Sequence, residues 1–321
     1  MKQFDVTLAG EITMDLVMYG LPEELPLEHE LLASGMAMTL GGSSAITAHN
    51  LSLLGSKTGF IPQLADDPFT ELCLCGLRHA GVDLSKAAAP KKGVSTGTTV
   101  LLQHEESRRA FTYSGTISAL RYDDLDIDYL ASGRHFHLSS YFLQSGLRKD
   151  VPRLLRTLRD AGLTTSLDTN DDPDDTWNDN IADVLREVDL LMPNEREVCC
   201  LANEPDVESA VVKLSKVVPS IVVKRGANGA LAMHKGKRYT VPGISMNIVD
   251  VIGAGDSFNA GFLHAFVQGY DIAECLRIGN LCGAYSTTAS GGTQAFRDCG
   301  RLRQFMEQHG IDQQLLMTRE N

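Results

Sequence analysis

The chain has 321 residues, 43% of them hydrophobic, and a formal net charge of −12. This length allows one large buried core, while an acidic balance with no stretch rich in Lys and Arg argues against a nucleic-acid partner or an anionic membrane surface. Because no apolar run reaches membrane-spanning length and residues 1–6 enter a strand pattern directly, we expect a soluble cytoplasmic protein whose seven cysteines are reduced core thiols.

Short β-rich segments alternate with amphipathic segments along most of the chain. Strands are predicted over 4–9, 135–139, 164–168, 188–192 and 221–224, and helices over 43–54, 147–161, 176–187 and 195–202. Such alternation is typical of an α/β fold with a doubly wound, mainly parallel sheet flanked by helices, and ligands of these folds bind at the carboxyl ends of the strands. Four polar residues lie at or just beyond predicted strand ends, so we expect them to share a cleft: Asp15, Asp168, Asn194 and Lys224.

Two regions, residues 12–40 and 93–116, break the alternation. They contain β-favouring stretches such as 97–102 and 109–113, with no crossover helix between them. We predict a small sheet that covers the site as a lid and is inserted into a single domain of residues 1–321. Such a lid would exclude water, which competes as an acceptor in group transfer, and its exposed strand edges are compatible with a homodimer.

Asn194 and Glu197 lie near a predicted helix start. Their spacing places both side chains on one face, where they could organise Mg²⁺ and its waters around phosphate groups, with Glu197 acting through those waters. A helix-capping Asn followed by an ordinary Glu explains the same spacing nearly as well. The aspartates at 171, 172, 174 and 175 lack the spacing of a calcium loop, so we predict a solvated loop that leads into a helix.

Residues 250–261 combine a glycine-rich turn with the start of an apolar helix. Gly253 and Gly255 allow the peptide N–H groups of the turn to converge on an anionic oxygen at the helix N-terminus. Asp256 follows at once, and the local pattern predicts a phosphoryl-transfer site in which this carboxylate accepts a hydroxyl proton while the amides of Ala254, Gly255 and Asp256 stabilise negative charge. An aspartate of ordinary pKa is sufficient for such transfers. A plain helix cap beside a turn is the alternative.

Six short segments occur in the order expected for one known family. The run 250–263 matches a C-terminal signature without a gap, and residues 41–48 match an N-terminal Gly-Gly segment that opens a helix. Between and before them lie an early Gly-x-x-x-x-Asp element, an Asp-x-Asn strand end, an Asn-x-x-Glu motif and a strand with a glycine turn, at residues 10–15, 168–170, 194–197 and 222–230. From Phe4 to about residue 309, the chain resembles the ribokinase-like (phosphofructokinase-B, PfkB) carbohydrate kinases.

The resemblance implies an ATP-dependent kinase that transfers the γ-phosphate to a hydroxyl, expected to be primary, of a sugar or sugar-like alcohol. It assigns the base and its anion cradle to Asp256, Gly255, Ala254 and Gly253, and the acceptor to Asp15, Gly41, Gly42, Ser43 and Asp168. The nucleotide would contact Asn194, Lys224, Gly226, Gly229 and, near the adenine, Asn280. A monovalent cation such as K⁺ would lie near Asp250, Ile252, Thr287, Ser290 and Gly292.

Two departures bear on the acceptor. Ile46 stands where relatives usually have an Asn that helps to hold the sugar, and an apolar side chain cannot replace its hydrogen bonds. The acidic run 171–175 stands where relatives often have an Arg, which disfavours an acceptor that is already phosphorylated. Two alternatives stay open: a nucleoside kinase of the same fold, and a non-catalytic sugar sensor on a kinase scaffold.

Overall fold

The computed structural model describes residues 2–104 and 107–311. In these ranges the strands are β1 Phe4–Gly10, β2 Thr13–Tyr19, β3 Gly35–Gly41, β4 Thr58–Pro62, β5 Gly97–His104, β6 Ser107–Tyr113, β7 Gly133–Ser139, β8 Thr164–Asp168, β9 Leu190–Leu191, β10 Ser220–Lys224, β11 Ala230–His234 and β12 Lys237–Val241. The helices are α1 Ser43–Leu53, α2 Pro68–His79, α3 Ile127–Ala131, α4 Ser145–Arg148, α5 Val151–Asp160, α6 Ile181–Leu185, α7 Glu195–Ala202, α8 Val207–Leu214, α9 Ala254–Val267, α10 Ile272–Ser286, α11 Gly291–Gln294 and α12 Cys299–Gln308.

Eight strands form the main sheet, in the order β12-β11-β10-β9-β8-β7-β1-β4. The pairs from β4 to β10 are parallel, whereas β11 and β12 add an antiparallel edge beyond β10. The predicted α/β class with a mainly parallel sheet is confirmed. The carboxyl ends of β1, β7, β8 and β10 consequently meet at one edge of the sheet.

Helices cover both faces of this sheet, and each face has its own apolar core. One core includes Phe262 and Leu276, from α9 and α10, and the other includes Leu155 and Val211, from α5 and α8. Because both faces of the sheet are covered, residues on both sides of its inner strands are buried, including polar ones such as His135 and His137 of β7. None of the described helices is long and apolar enough to cross a membrane.

The predicted lid is a separate four-stranded sheet, in the order β3-β2-β5-β6. Val17 of β2 and Leu101 of β5 pack on Ile252, in the segment before α9, and this small cluster joins the inner face of the lid to the main domain. Along β2 the side chains alternate, so Asp15, Val17 and Tyr19 share this inner face. The lid therefore places Asp15 beside the start of α9.

Several predicted boundaries are wrong. The helix expected over 176–187 is reduced to α6, because the Asp172 carboxylate accepts backbone hydrogen bonds from Asp174, Thr176 and Trp177 and folds the preceding residues into a loop. The segment expected as one helix over 147–161 is divided into α4 and α5, with a proline in the first turn of α5. Only three of the seven unpaired cysteines are buried in the core, namely Cys73, Cys275 and Cys282.

Candidate active site

The glycine-rich turn before α9 forms an anion cradle. Gly253 is the N-cap, with a left-handed φ of 70°, and a Cβ at this position would lie 2.4 Å from the Cα of Gly292. The peptide N–H groups of Gly255 and Asp256 lie in the first helical turn, where the helix offers them no carbonyl acceptor and where its dipole is positive. The N–H of Ala254 is instead directed at the Val251 carbonyl, 3.3 Å away. Two of the three predicted amides can therefore receive an anionic oxygen.

Asp256 lies between two cavities. The first, which we call the lid cavity, has a volume of about 240 Å³ and extends under the lid to Asp15. The second, the central cavity, has a volume of about 310 Å³ and extends to Asp168, Glu197 and Lys224. Gly253 and Asp256 line both cavities. A group in one cavity can therefore meet a group in the other at the Asp256 carboxylate.

The Asp256 carboxyl does not have an ordinary pKa. Burial raises it to about 7, and the nearby negative charges of Asp168 and Glu11 act in the same direction. The ammonium group of Lys224 and a hydrogen bond from Ser43 oppose this shift without cancelling it. An aspartate of ordinary pKa would be sufficient for the transfer, but the structure has a raised pKa, because the dipole and the cation do not outweigh burial among other carboxylates.

Asp15 and the predicted Gly-Gly segment come together in the lid cavity. Thr13 donates a hydrogen bond of 2.9 Å to the Asp15 carboxylate, which fixes its orientation. A Cβ at Gly41 would lie 2.0 Å from Oδ1 of Asp15, so only glycine leaves room for this carboxylate. Gly42 and Ser43 line the same cavity at the start of α1, as does Ile46.

Glu11 is a site residue that the motif analysis missed. It is 2% exposed, lines the lid cavity, and accepts hydrogen bonds from the backbone and the hydroxyl of Ser44, from Ser140 and from Gln144. These bonds tie the end of β1 to the start of α1 and to the segment after β7. A Glu directly after the glycine that ends the first strand is the only sequence signal for it.

Asn170 is a second residue that the predicted set omitted. It lines both the lid cavity and the central cavity, and its amide donates a 2.6 Å hydrogen bond to the hydroxyl of Ser43. Its carbonyl Oδ1 is buried and makes no hydrogen bond within the described residues. Ser43 in turn bonds to Asp256, so Asn170 holds the residue that contacts the base.

Asp168 lies in the central cavity and not among the residues that line the lid cavity. Its carboxylate pairs with the ammonium group of Lys224 and accepts a hydrogen bond from Asn259. Burial lowers the pKa of Lys224, but attraction by Asp168 and Glu197 outweighs burial and the net shift is upward, so Lys224 is a cation. The position of Asp168 gives no support to its predicted contact with the acceptor.

Asn194 and Glu197 form a reciprocal cap at the start of α7. The Asn194 side chain accepts from the Glu197 N–H at 2.9 Å, and the Glu197 carboxylate accepts from the Asn194 N–H at 2.8 Å. Burial, followed by repulsion from Asp168, raises the pKa of Glu197 to about 7. Both residues also line the central cavity. Asn194 and Glu197 therefore cap α7 and lie at the candidate site at the same time.

A third cavity, the loop cavity, has a volume of about 480 Å³ and adjoins the cradle on its outer side. Gly226, Gly229, Lys224 and Asn280 line it, together with apolar side chains of residues 244–251 and Phe258. The Asn280 amide donates to the Pro242 carbonyl at 2.7 Å, so this side chain also holds the strand end that borders the cavity. Four of the predicted nucleotide residues thus meet in one apolar pocket.

Asp250 forms the centre of the predicted cation loop. It is 1% exposed and makes no ion pair among the described residues, and it accepts hydrogen bonds from the N–H groups of Ile252 and Gly291 and from the hydroxyl of Tyr19. Ser290 bonds to the same Tyr19 hydroxyl. The carbonyls of Thr287 and Gly292 accept from Asp250 N–H and from Asn50, respectively. Thr287 and Ser290 are therefore linked by hydrogen bonds to Asp250, directly through its backbone and through the Tyr19 hydroxyl, respectively.

The described residues contain no group of three His, Cys, Asp or Glu side chains arranged to hold a metal ion. The central cavity still offers hard oxygen donors, because Asp168 and Glu197 line it and the buried Oδ1 of Asn170 has no hydrogen-bond partner there. Oxygen donors of this kind suit Mg²⁺ that keeps several waters and is held mainly by phosphates. These residues fit a Mg²⁺ ion that is coordinated mainly by phosphate oxygens and water better than one coordinated by protein ligands alone.

Known proteins resemble this chain over most of its length. Residues 3–299 match the family model of the pfkB family carbohydrate kinases. The chain is 29% identical over 282 residues to a fructokinase from Escherichia coli, covering 79% of this chain and 88% of the relative. It is 25% identical over 324 residues to a 5-dehydro-2-deoxygluconokinase from Clostridium perfringens, covering 95% and 94%. It is 27% identical over 293 residues to an ATP-dependent ribose-1-phosphate kinase from Halopiger xanaduensis, covering 90% and 94%.

Solved structures share the fold. A ribokinase from Arabidopsis thaliana, complexed with ribose and ATP, superimposes with a TM-score of 0.78 at 22% identity and covers 95% of this chain and 99% of that one. A fructokinase double mutant from Vibrio cholerae O395, with fructose, ADP and potassium ion bound, gives a TM-score of 0.79 at 21% identity with coverage of 95% and 99%. Since the family match spans nearly the whole described chain and the fold agrees with it, this chain belongs to the pfkB family of carbohydrate kinases, ATP-dependent phosphotransferases that act on an alcohol group of a sugar.

Proposed function

We propose that this kinase transfers the γ-phosphate of ATP to a primary hydroxyl of a sugar or sugar-like alcohol held in the lid cavity. The observation that carries this assignment is the position of Asp256, which lines both the lid cavity and the central cavity at the first turn of a helix. The ATP would occupy the loop cavity with its phosphates directed into the central cavity. The acceptor hydroxyl and the γ-phosphate would then meet at one carboxylate.

The reaction follows from these positions. The acceptor oxygen forms a bond to the γ-phosphorus, the bond from this phosphorus to the β–γ bridging oxygen breaks, and ADP leaves. Asp256 accepts the hydroxyl proton, and the N–H groups of Gly255 and Asp256 stabilise the charge on the transferred group. Lys224, beside the cradle, balances the phosphate charge. Asp168 and Glu197 would hold Mg²⁺ in the central cavity, where the ion would neutralise charge on the phosphate oxygens.

Asp15, with Gly41, Gly42 and Ser43, would hold the acceptor. A carboxylate accepts hydrogen bonds from two neighbouring hydroxyls, which is a common need of a polyol. The apolar side of the lid cavity, which includes Ile46, Leu101 and Ile117, is the feature that would favour a nucleoside instead. A volume of about 240 Å³ is small for a drug-sized ligand, and it favours a monosaccharide over a nucleoside.

An acceptor panel tests this assignment. ADP release is measured with neutral sugars, alditols, sugar acids, sugar phosphates and nucleosides, using the wild-type protein and Asp256→Asn. We expect turnover with a sugar or alditol, and a loss of several orders of magnitude in kcat for Asp256→Asn while ligand binding persists. Near-normal turnover by the variant would refute the base assignment. Turnover with nucleosides alone would favour the nucleoside kinase, and binding of sugars without any turnover would favour the sensor.

A K⁺ ion near Asp250 is a further part of the proposal. Its support is the buried carboxylate without an ion pair in the described chain and the surrounding oxygens of Ser290 and Thr287. The ion would neutralise Asp250 and so stabilise the turn that leads into the cradle. We expect KCl to raise the melting temperature of the wild type more than tetramethylammonium chloride at equal ionic strength, and Asp250→Asn to remove this difference. Equal effects of both salts on the wild type would refute the ion.

The outer face of the lid supports a homodimer. Met36 and Met38 of β3 and Phe111 and Tyr113 of β6 are exposed there, on the face opposite the lid cavity. Apolar residues exposed together on one face of a sheet are typical of an interaction surface. We propose that a second copy of the chain covers them.

Use of ATP also favours the cytoplasm as the place of action.

A further inference from the structure

The lid cavity contains an excess of negative groups. Glu11, Asp15 and Asp256 line it, and all three carboxylates are buried. Of the residues described along its wall, none is a Lys, Arg or His; the remaining polar ones are hydroxyl groups and one amide, such as Thr13, Ser43 and Asn170. An acceptor in this cavity therefore meets hydrogen-bond acceptors and hydroxyls but no fixed positive charge.

Two cations outside the cavity do not change this balance. Lys224 lines the adjoining central cavity, where Asp168 binds its ammonium group. Arg196 is held by Asp171 and Asp175, so the acidic loop that the sequence analysis connected with the acceptor is paired with a cation. Neither that loop nor Arg196 lines the lid cavity. The negative character of the acceptor site thus comes from Glu11, Asp15 and Asp256 and not from the loop.

Glu11 is the member of this set that the transfer reaction does not use. Its four hydrogen-bond donors come from Ser44, Ser140 and Gln144, and all of them are neutral groups. Because every one of these donors is neutral, no cation among the residues described around the cavity offsets the formal charge of Glu11. A carboxylate or phosphate group on the acceptor would be brought close to Glu11 among buried side chains, where repulsion between like charges is stronger than in bulk water.

We propose, building on the proposed function, that the acceptor is an uncharged monosaccharide or alditol, and that Glu11 and Asp15 select against sugar acids and sugar phosphates. The acceptor proposed here differs from those of two relatives, whose names specify an acidic or a phosphorylated acceptor. Glu11 is here a positioning and specificity-determining residue, since it also fixes the start of α1, where Gly42 and Ser43 contact the acceptor.

Matched pairs of acceptors test this proposal. Binding is followed by thermal shift and turnover by ADP release, using ribose with ribose 1-phosphate, glucose with gluconate, and fructose with 5-dehydro-2-deoxygluconate, beside a wider set of neutral sugars and alditols. We expect the best neutral acceptor to exceed every charged one by at least about 100-fold in kcat/KM, a difference typical of an unpaired buried charge. A charged acceptor that equals or exceeds the best neutral one would overturn the proposal and leave the kinase assignment intact.

Two cavity variants and one control outside the cavity test whether charge in the lid cavity causes this selectivity. Thr112→Lys places a cation on the lid wall of the cavity, and it should raise kcat/KM for charged acceptors relative to neutral ones by at least about tenfold. Thr240→Lys adds the same charge on β12, outside the cavity, and should leave the ratio unchanged. Glu11→Gln should shift the ratio in the same direction as Thr112→Lys. An unchanged ratio in both cavity variants contradicts the electrostatic origin, and failure of every neutral sugar to bind or react contradicts both this proposal and the proposed function.

Discussion

Several groups act in opposite directions on the pKa of Asp256. The first turn of α9, Lys224 and Ser43 favour its ionised form, whereas burial, Asp168 and Glu11 favour the protonated form. The second group prevails, and the pKa rises to about 7. A pKa near the working pH makes the carboxylate a stronger base than an ordinary aspartate while it remains largely ionised at slightly alkaline pH. Residue type alone could not predict this balance.

This pKa predicts an acidic limb in the activity profile. As the pH falls below about 7, the ionised fraction of Asp256 falls, and kcat/KM should decrease about tenfold per pH unit. Burial also raises the pKa of Glu197, but Glu197 does not line the lid cavity, so Glu197→Gln should lower activity and keep the acidic limb. If Glu197→Gln removed the acidic limb, the limb would report on Glu197 and not on Asp256.

The same group links stability to pH. The Asp256 pKa rises from 3.8 to about 7 on folding, so folding favours its protonated form. This stabilisation is present below about pH 4 and is lost as the pH rises through about 7. Asp256→Asn cannot ionise and should therefore melt at a higher temperature than the wild type at pH 8, with the difference shrinking toward pH 4. A variant that is less stable than the wild type at pH 8 would contradict the sign of this shift.

At the scale of elements, helix α9 shows how a local motif acquires its chemistry. Its N-terminus depends on a glycine that is left-handed and also in contact with the Gly292 backbone, while Gly269, just beyond its C-cap, is left-handed with open space around it. The two glycines therefore share a backbone requirement and differ in their surroundings. Substitution at Gly269 would therefore test backbone strain alone, whereas substitution at Gly253 would test backbone strain together with close packing in the cradle.

Replacing each of these glycines with alanine provides a matched pair. Gly269→Ala should lower the free energy of unfolding by about 1–2 kcal/mol through left-handed strain, with kcat unchanged. Gly253→Ala adds a contact at 2.4 Å with Gly292 and should displace the cradle, which lowers kcat by about 100-fold or more. Chemical denaturation and steady-state kinetics measure the two effects. Equal losses of activity in both variants would mean that helix strain, and not the cradle contact, controls turnover.

At the scale of the whole molecule, the two faces of the lid differ in character. Its inner face carries Asp15 and packs on Ile252, and its outer face exposes Met36 and Phe111, which are 61% and 56% exposed. One four-stranded sheet therefore has a polar reaction side and an apolar outer side. Covering the outer side with a second copy would also hold the inner side against the main domain.

A charge on the outer face tests this assembly. Phe111→Glu should shift the protein from dimer to monomer in sedimentation velocity and raise KM for the sugar, because the lid loses its support. Val212→Glu, at a similarly exposed apolar residue on α8, should leave the mass and KM unchanged. A wild-type protein that sediments as a monomer at micromolar concentration would contradict the dimer.

The order of the motifs and the period of the apolar residues were sufficient to predict the α/β class, the separate lid and the kinase family, because these depend on local propensity and on short segments with strict backbone needs. Folding then decided which polar groups share a cavity. Asp168 follows a strand as predicted, yet it lies with Lys224 in the central cavity, while Glu11, which no motif singled out, lies beside Asp15 and Asp256. The pKa of Asp256 and the charge of the acceptor site are sums over residues distant in sequence, and they exist only once the chain has brought those residues together and excluded water.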